Sequence, residues 1–324
     1  MRNHKPLLAI LCLAITLLAG AYVSRKGIPF VHEVRKWSIG IYVGESPVSL
    51  SPSAAIANPV LTAKHVTDVP AEFVADPFMV KEGSNWYMFF EVMNNATGQG
   101  DIGLAVSADT IKWEYKQIVL DEPFHLSYPY VFKWKDEYYL IPESGAANSV
   151  RLYRAITFPT TWQFVSTLIN GGNFVDSSIF EFNGRMWLFT TTNDSENKNN
   201  NLRLYFADDL FGKWIEHPRS PIIQNDPEIA RPGGRVLVLG DRIIRYAQDA
   251  YPSYGSQVRA FMISELTTST YKEEPIGSEP VVKLSGAGWN RDGMHHVDTH
   301  PSGEHGWVAC VDGKGPERVF GYKK

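Results

Sequence analysis

The stretch FVADPFMVKEGSNWYMFFE, residues 73–91, decides the fold. An acidic residue before a proline heads one apolar run, a short polar turn follows, and a second apolar run ends on another acid. Such a pattern reads as a β-hairpin. In an antiparallel hairpin the start of the first strand lies beside the end of the second, so Asp76 and Glu91 are expected together at its open end.

The hairpin recurs. YPYVFKWKDEYYLIPES spans 128–144, DSSIFEFNGRMWLFTTT spans 176–192, and weaker copies, RPGGRVLVLGDRIIRYAQD and VDTHPSGEHGWVACVDG, start at 231 and 297. Self-similarity at this period signals a propeller or another array. The first four copies are each followed by a second pair of β-like runs, with Trp113, Trp162 and Trp214 at equivalent points of the first three. Two hairpins per unit make a four-stranded antiparallel blade, and five units a five-bladed β-propeller. The 3.6-residue periodicity of a helical solenoid is missing. The fifth unit is short, and KWSIGIYVG, residues 36–44, stands outside the repeats, so it is expected to complete the last blade and close the ring.

Composition agrees with an all-β chain: of 324 residues, 44% are hydrophobic and 13% aromatic, with 26 Gly and 20 Pro at turns. A net charge of −4 with interleaved signs and no basic stripe excludes nucleic acid as a partner. Cys12 and Cys310 cannot form a disulfide framework. At the N-terminus, Arg2 and Lys5 precede an uncharged run from Pro6 to Val23. This reads as one hydrophobic helix, either a signal anchor or a signal peptide cleaved near Ala19-Gly20-Ala21. Both options export the remainder, leaving it membrane-anchored or secreted. The expected organisation is an anchor or signal peptide at 1–26, a juxtamembrane segment with the ring-closing strand at 27–70, and the propeller at 71–324.

If the first strand of each unit is innermost, its head and the end of its partner meet at one mouth of the central channel. Asp76 and Glu91 then join Tyr128 and Glu143, Asp176 and Thr191, Arg231, Gln248 and Asp249, and His296, Asp298 and Asp312, with His125 nearby. Crowded carboxylates in a partly desolvated cleft push one another's pKa values apart, which is what glycosidic-bond cleavage by an acid and a base or nucleophile requires. Tyr128, Tyr130 and Trp289 offer faces for sugar rings. Blander accounts compete: Asp76 as a turn former before proline, Glu91 in an ion pair with Arg231, and Glu143 as a solvated strand end. The cluster His295, His296, Asp298, His300 and His305 invites a metal, but alternation along a strand lets only about half converge, so no metal site is assigned. GxSxG, P-loop and HExxH patterns do not occur.

Taken together, ADPF…WYMFFE, SYPYVF…YYLIPES, DSSIFEFNGRMWLFTT, DLFGKWIEHPRSPI, ARPGGR, YAQD…YG, GWN and MHHVD resemble the N-terminal propeller domain of plant glucosamine inositolphosphorylceramide transferases, over roughly residues 37–300. More distantly the chain is similar to five-bladed glycosidases of the arabinanase, β-xylosidase and invertase type. The resemblance implies a carbohydrate context. In those glycosidases the acid leading the first blade is the base or nucleophile, matching Asp76; many carry a second acid where this chain has Tyr128. The expected function is hydrolysis of a glycosidic bond in a glycan or glycolipid, with Asp76 as base or nucleophile, Glu143 as general acid and Asp176 orienting the substrate or tuning pKa. Glu91, His125, Tyr128, Arg231, Gln248, His296 and Asp298 would contact substrate, without a cofactor. The alternative is a non-hydrolytic glycan-binding or glycosyl-transfer component.

Overall fold

The computed structural model describes residues 31–192, 199–303 and 306–320, with Cys12, Leu13, Ile15 and Thr16. The remainder of the expected N-terminal helix, and His305, lie outside the described residues, and no described helix is long and apolar enough to cross a membrane. The propeller is the compact unit Lys36–Gly315, while Val31–Arg35 and Pro316–Phe320 belong to a separate small unit.

Among the described residues the strands run from β1 (Val31–Ser46) and β2 (Ser49–Pro52) into five consecutive sheets. Blade one is β3 (Ala71–Glu82), β4 (Asn85–Asn94), β5 (Gln99–Ser107) and β6 (Glu114–Leu120). Blade two is β7 (Ser127–Trp134), β8 (Glu137–Glu143), β9 (Ser149–Thr157) and β10 (Thr161–Asn170). Blade three is β11 (Phe174–Phe182), β12 (Arg185–Thr192), β13 (Leu202–Ala207) and β14 (Ile215–Glu216). In blade four the edges are split: β15 (Arg231–Pro232) and β16 (Leu237–Leu239) both pair with β17 (Arg242–Asp249), and β18 (Gln257–Leu266) carries β19 (Tyr271–Pro275) and β20 (Val282–Lys283). Blade five is β21 (Val297–Ser302) and β22 (Gly306–Phe320), completed by β1 and then β2. The segment 36–44 therefore does close the ring.

Alternation explains why these runs form stacked sheets. On β4, Trp86, Met88, Phe90 and Val92 pack with Ile39 and Ile41 of blade five, whereas Phe89 between them packs with Tyr130 and Ile141 of blade two. Both faces of the strand are buried, which is why it reads as a continuous apolar run. Each fully buried aromatic or branched side chain contributes roughly 1.5–3 kcal/mol, so the blade interfaces supply the main stabilisation. The repeated tryptophans play one part three times. The indole N–H groups of Trp113, Trp162 and Trp214 donate to the carbonyls of Thr110, Pro159 and Leu210 (2.9, 3.0 and 3.3 Å), fixing the turn before the outermost strand.

Candidate active site

The innermost strands of the first three blades share a local irregularity. In blade one, Ala75 pairs with Glu91 and Phe78 with Phe89, so Asp76 and Pro77 oppose the single residue Phe90. Tyr128 and Pro129 bulge in the same way against Pro142, and Asp176 and Ser177 against Thr190. At each bulge the leading residue adopts a left-handed backbone, with φ of +51° at Asp76, +43° at Tyr128 and +51° at Asp176. Non-glycine residues rarely sit there, at a cost on the order of 1–3 kcal/mol, and bulges re-aim side chains next to functional sites. The bulge also parts Asp76 from its expected cross-strand partner, since Glu91 faces Ala75 across the ladder.

Both acids nonetheless line one hollow of about 210 Å³. This is below the roughly 300–1,000 Å³ of sites for drug-sized ligands, on the scale of a single sugar unit. Blade one contributes Phe73, Asp76, Glu91 and Met93, blade two Ser127 and Glu143 with His125 just before it, and blade four Arg231 with Tyr254. Trp37 of the ring-closing strand and His295 complete the wall. Gly100 lets two of these groups meet: a Cβ there would lie 2.2 Å from the Leu126 carbonyl, 2.8 Å from the His125 ring and 3.0 Å from Glu91 Oε1.

The carboxylates sit in contrasting surroundings. Asp176 is buried, and its Oδ2 accepts from Arg231 Nε (2.5 Å) and Gln248 Nε2 (2.6 Å). Arg231 also donates to Asn199 Oδ1 (2.7 Å) and, at 3.4 Å, to Glu143 Oε2. Burial, followed by the charge of Asp176, pushes Glu143 well above the usual carboxylate range. Asp176 Oδ1 is buried without a hydrogen-bond partner among the described residues. Burial and the charges of Asp76 and Glu143 raise Glu91 in the same way. The nearest cationic group to Glu91 is His125, 3.5 Å away, but burial and Arg231 lower the His125 pKa and favour the neutral ring. Gly100 N–H donates to His125 Nδ1 (2.9 Å), which leaves the proton on Nε2, facing Glu91. Burial pushes Asp76 up to about 7, against the pull of His295 and with the push of Asp176 and Asp312.

Three expected contacts are corrected. Tyr128 is wholly buried: its hydroxyl accepts from Gly234 N–H (2.8 Å) and lies 2.9 Å from Ser178 Oγ, bracing the channel wall instead of stacking on a sugar. Gly234 makes that brace possible, because a Cβ there would lie 1.8 Å from the Val297 carbonyl oxygen. His296 is buried edge-on between Phe78 and Tyr128, and burial lowers its pKa to about 4, so the neighbouring His295 is the histidine that reaches the hollow. Asp298 is buried away from the hollow against Arg235, His300 and the Met79 amide. The two other proposed stacking rings are displaced too: Tyr130 is buried beneath Arg235, and Trp289 packs against Gly40 and Gly313. Gln248 and Asp176 stand directly behind the wall, holding Arg231 and each other. Trp37, Tyr254 and His295 were not singled out as substrate contacts from the sequence, although His295 was legible as part of MHHVD.

Asp76, His295 and Asp312 also place ligand-type atoms within 4.8 Å of one another. Asp312 Oδ1 already accepts from the amides of His295 and His296, and Oδ2 accepts from the Asp76 amide and faces His295 Nδ1 at 2.7 Å. An ion would find only Asp76 and His295 Nε2 open, too sparse a set for a hard cation, which takes six or more oxygens. The three form a chain of ion-pair contacts instead, 2.7 Å from Asp312 Oδ2 to His295 Nδ1 and 3.7 Å from His295 Nε2 to Asp76 Oδ1.

Comparisons with known proteins agree with this architecture. Two solved structures superpose with it: the catalytic domain of a Coprinopsis cinerea GH62 α-L-arabinofuranosidase (TM-score 0.57, 12% identity, 86% of this chain and 96% of that one), and a putative glycoside hydrolase from Bacteroides ovatus (TM-score 0.58, 10% identity, 84% and 96%). At such identities the likeness is one of fold. By sequence, the chain is 39% identical over 297 residues to glucosamine inositolphosphorylceramide transferase 1 of Oryza sativa subsp. japonica, covering 86% of this chain and 40% of that protein. It is 34% identical to the Arabidopsis thaliana protein of the same name over 296 residues, or 86% and 39%. The chain thus spans about 40% of the length of the curated relatives it matches. With residues 32–314 matching the family model described as glucosamine inositolphosphorylceramide transferase 1, N-terminal, this chain belongs to that family.

Proposed function

We propose that the hollow at the propeller mouth carries out glycosidic-bond chemistry on a glycan or glycolipid, with Asp76 as base or nucleophile and Glu143 as proton donor. The observation that carries this reading is the contrast between two neighbouring carboxyls. Asp176 accepts hydrogen bonds from Arg231 and Gln248, whereas burial beside Asp176 favours the protonated form of Glu143. An acid kept protonated near a second carboxylate is the pairing that glycosidic cleavage uses. A sugar ring entering the hollow meets Trp37, Phe73 and Tyr254 for its apolar C–H faces and Glu91, His125 and Arg231 for its hydroxyls. The apolar N-terminal run supports placing this site on the exported side of a membrane.

Hydrolysis is the lead reading. Transfer of the sugar to an acceptor other than water is the second, favoured by the transferase name of the relatives, which includes glucosamine. A panel of glycosides and glycolipids offered to the purified chain, with and without acceptor alcohols, tests both. The expected result is product release with a bell-shaped pH profile, reduced by about 10²–10⁴-fold in Glu143→Gln with binding retained. Saturable glycan binding without any product from wild type would overturn the catalytic reading and leave a binding module.

A further inference from the structure

We propose that His295 is a positioning residue that supplies the counter-charge of Asp76, through the chain Asp312–His295–Asp76 built where blades one and five meet. This deepens the reading of Asp76 as base or nucleophile and rests on it.

Asp312 is fully buried on β22 and holds both partners at once. It takes the backbone amide of Asp76 at 3.2 Å and those of His295 and His296 at 3.0 and 3.1 Å, while its Oδ2 lies 2.7 Å from His295 Nδ1. The other ring nitrogen, Nε2, points to Asp76 Oδ1 at 3.7 Å. At 3.7 Å the second contact is too long for a hydrogen bond and is one of charge, so it is attractive only when the ring is the imidazolium. Its plane is fixed by stacking on Trp37, with centroids 4.0 Å apart and 12° between planes, and by the edge of Tyr254 at 5.2 Å. Trp37 belongs to the strand that closes the ring, so ring closure and the orientation of His295 are one structural event.

The surrounding charges leave this task to His295. Facing His295 are Asp312, Asp76, Asp176, Tyr254 and His296; facing Asp76 are His295, Asp176, Asp312, Arg231 and Glu91. Arg231 is engaged by Asp176 and Glu143, and its direct hydrogen bonds do not include Asp76. Burial would by itself lower the His295 pKa, yet Asp312 and Asp76 raise it overall, and His295 is the strongest influence opposing the burial of Asp76.

The test is a pH titration of the histidine ring and aspartate carboxyl signals of the full chain by NMR. In wild type the His295 midpoint lies above the ordinary value of about 6.5, and in Asp76→Asn it falls toward it. In His295→Gln the Asp76 midpoint rises, so the acid limb of kcat/KM moves to higher pH. The activity loss is then about tenfold at pH 6 and shrinks below about threefold at pH 8.5. A His295 midpoint unchanged in Asp76→Asn, or a loss equal at both pH values, overturns the proposal. Should His295→Gln not fold, the Asp76→Asn titration decides by itself. Coupled midpoints without turnover of any glycoside uphold the pair and overturn the catalytic reading alone; turnover with uncoupled midpoints does the reverse.

Discussion

Two groups of carboxylates sit on the inner two strands of their blades, and their surroundings are opposite. Asp298 is fully paired: Oδ1 accepts from Arg235 Nε at 2.7 Å, and Oδ2 from the Met79 amide at 2.7 Å and from Arg235 at 3.4 Å, with His300 Nε2 at 3.0 Å. Burial would raise its pKa, but Arg235 and then His300 hold it well below the usual carboxylate range. At the mouth, Glu91 faces His125 at 3.5 Å, and Asp76, Glu91 and Glu143 are all pushed upward, burial being the largest cause for each. A carboxylate buried with a full set of donors is an element of structure. One buried without them is held ready for a proton or a ligand, and such groups cluster at functional sites.

The largest way to break this contrast is Asp76→Asn. Catalysis is expected to fall by about 10³-fold or more, equivalent to roughly 4 kcal/mol in the barrier, while the fold stays at least as stable. Steady-state kinetics and urea unfolding on the same preparation check both halves; a variant that is active, or that loses stability instead, refutes the assignment. Next is Asp298→Asn, which leaves the Arg235 guanidinium buried without its counter-charge. Removing one member of such a pair costs about 3–5 kcal/mol, seen as a lowered urea midpoint.

The pH dependence of stability separates the two groups by sign. Asp76 binds its proton more tightly folded than unfolded. Its contribution is therefore greatest below the unfolded value near 3.9 and is lost as pH rises toward about 7. Asp298 is held low, so its contribution is present above about 3.9 and lost as pH falls through its folded value. Thermal scans of Asp76→Asn should show its Tm gaining on wild type between pH 4 and 7 and running parallel below pH 4. A gap that narrows with rising pH would contradict the environment assigned to Asp76.

Much of this architecture is written in period-two runs broken by turns. Blade one could be read because Trp86 to Val92 must bury both faces, and the ring-closing strand because the fifth unit lacks its outer half. The bulges were not legible. Their signature is a left-handed φ at Asp76, Tyr128 and Asp176, and the prolines after Asp76 and Tyr128 hint at two of them while Ser177 after Asp176 gives no sign. The same limit explains the choice of His296 over His295: regular alternation starts at Val297, so it does not fix which of the two preceding histidines turns to the hollow. Tyr254 lies in the irregular segment between β17 and β18, where sequence carries no periodic signal. Asp298 was misplaced for a different reason. Its partner Arg235 follows the Pro-Gly-Gly turn of another blade, and such a long-range pairing leaves no local trace.

The smallest effect is the most discriminating for the paired group. His300 reaches Asp298 Oδ2 from the same strand and is partly exposed, whereas Arg235 and the Met79 amide already satisfy both oxygens. Replacing it in His300→Gln removes one replaceable donor, so the expected cost is about 0.5–1.5 kcal/mol, the net worth of a single hydrogen bond. If urea unfolding instead shows a loss as large as that of Asp298→Asn, the histidine is an equal partner in a charge network. Asp298 would then depend on its histidine as Asp76 does on His295, and the division between a paired interior and a poised mouth would give way to one continuous network.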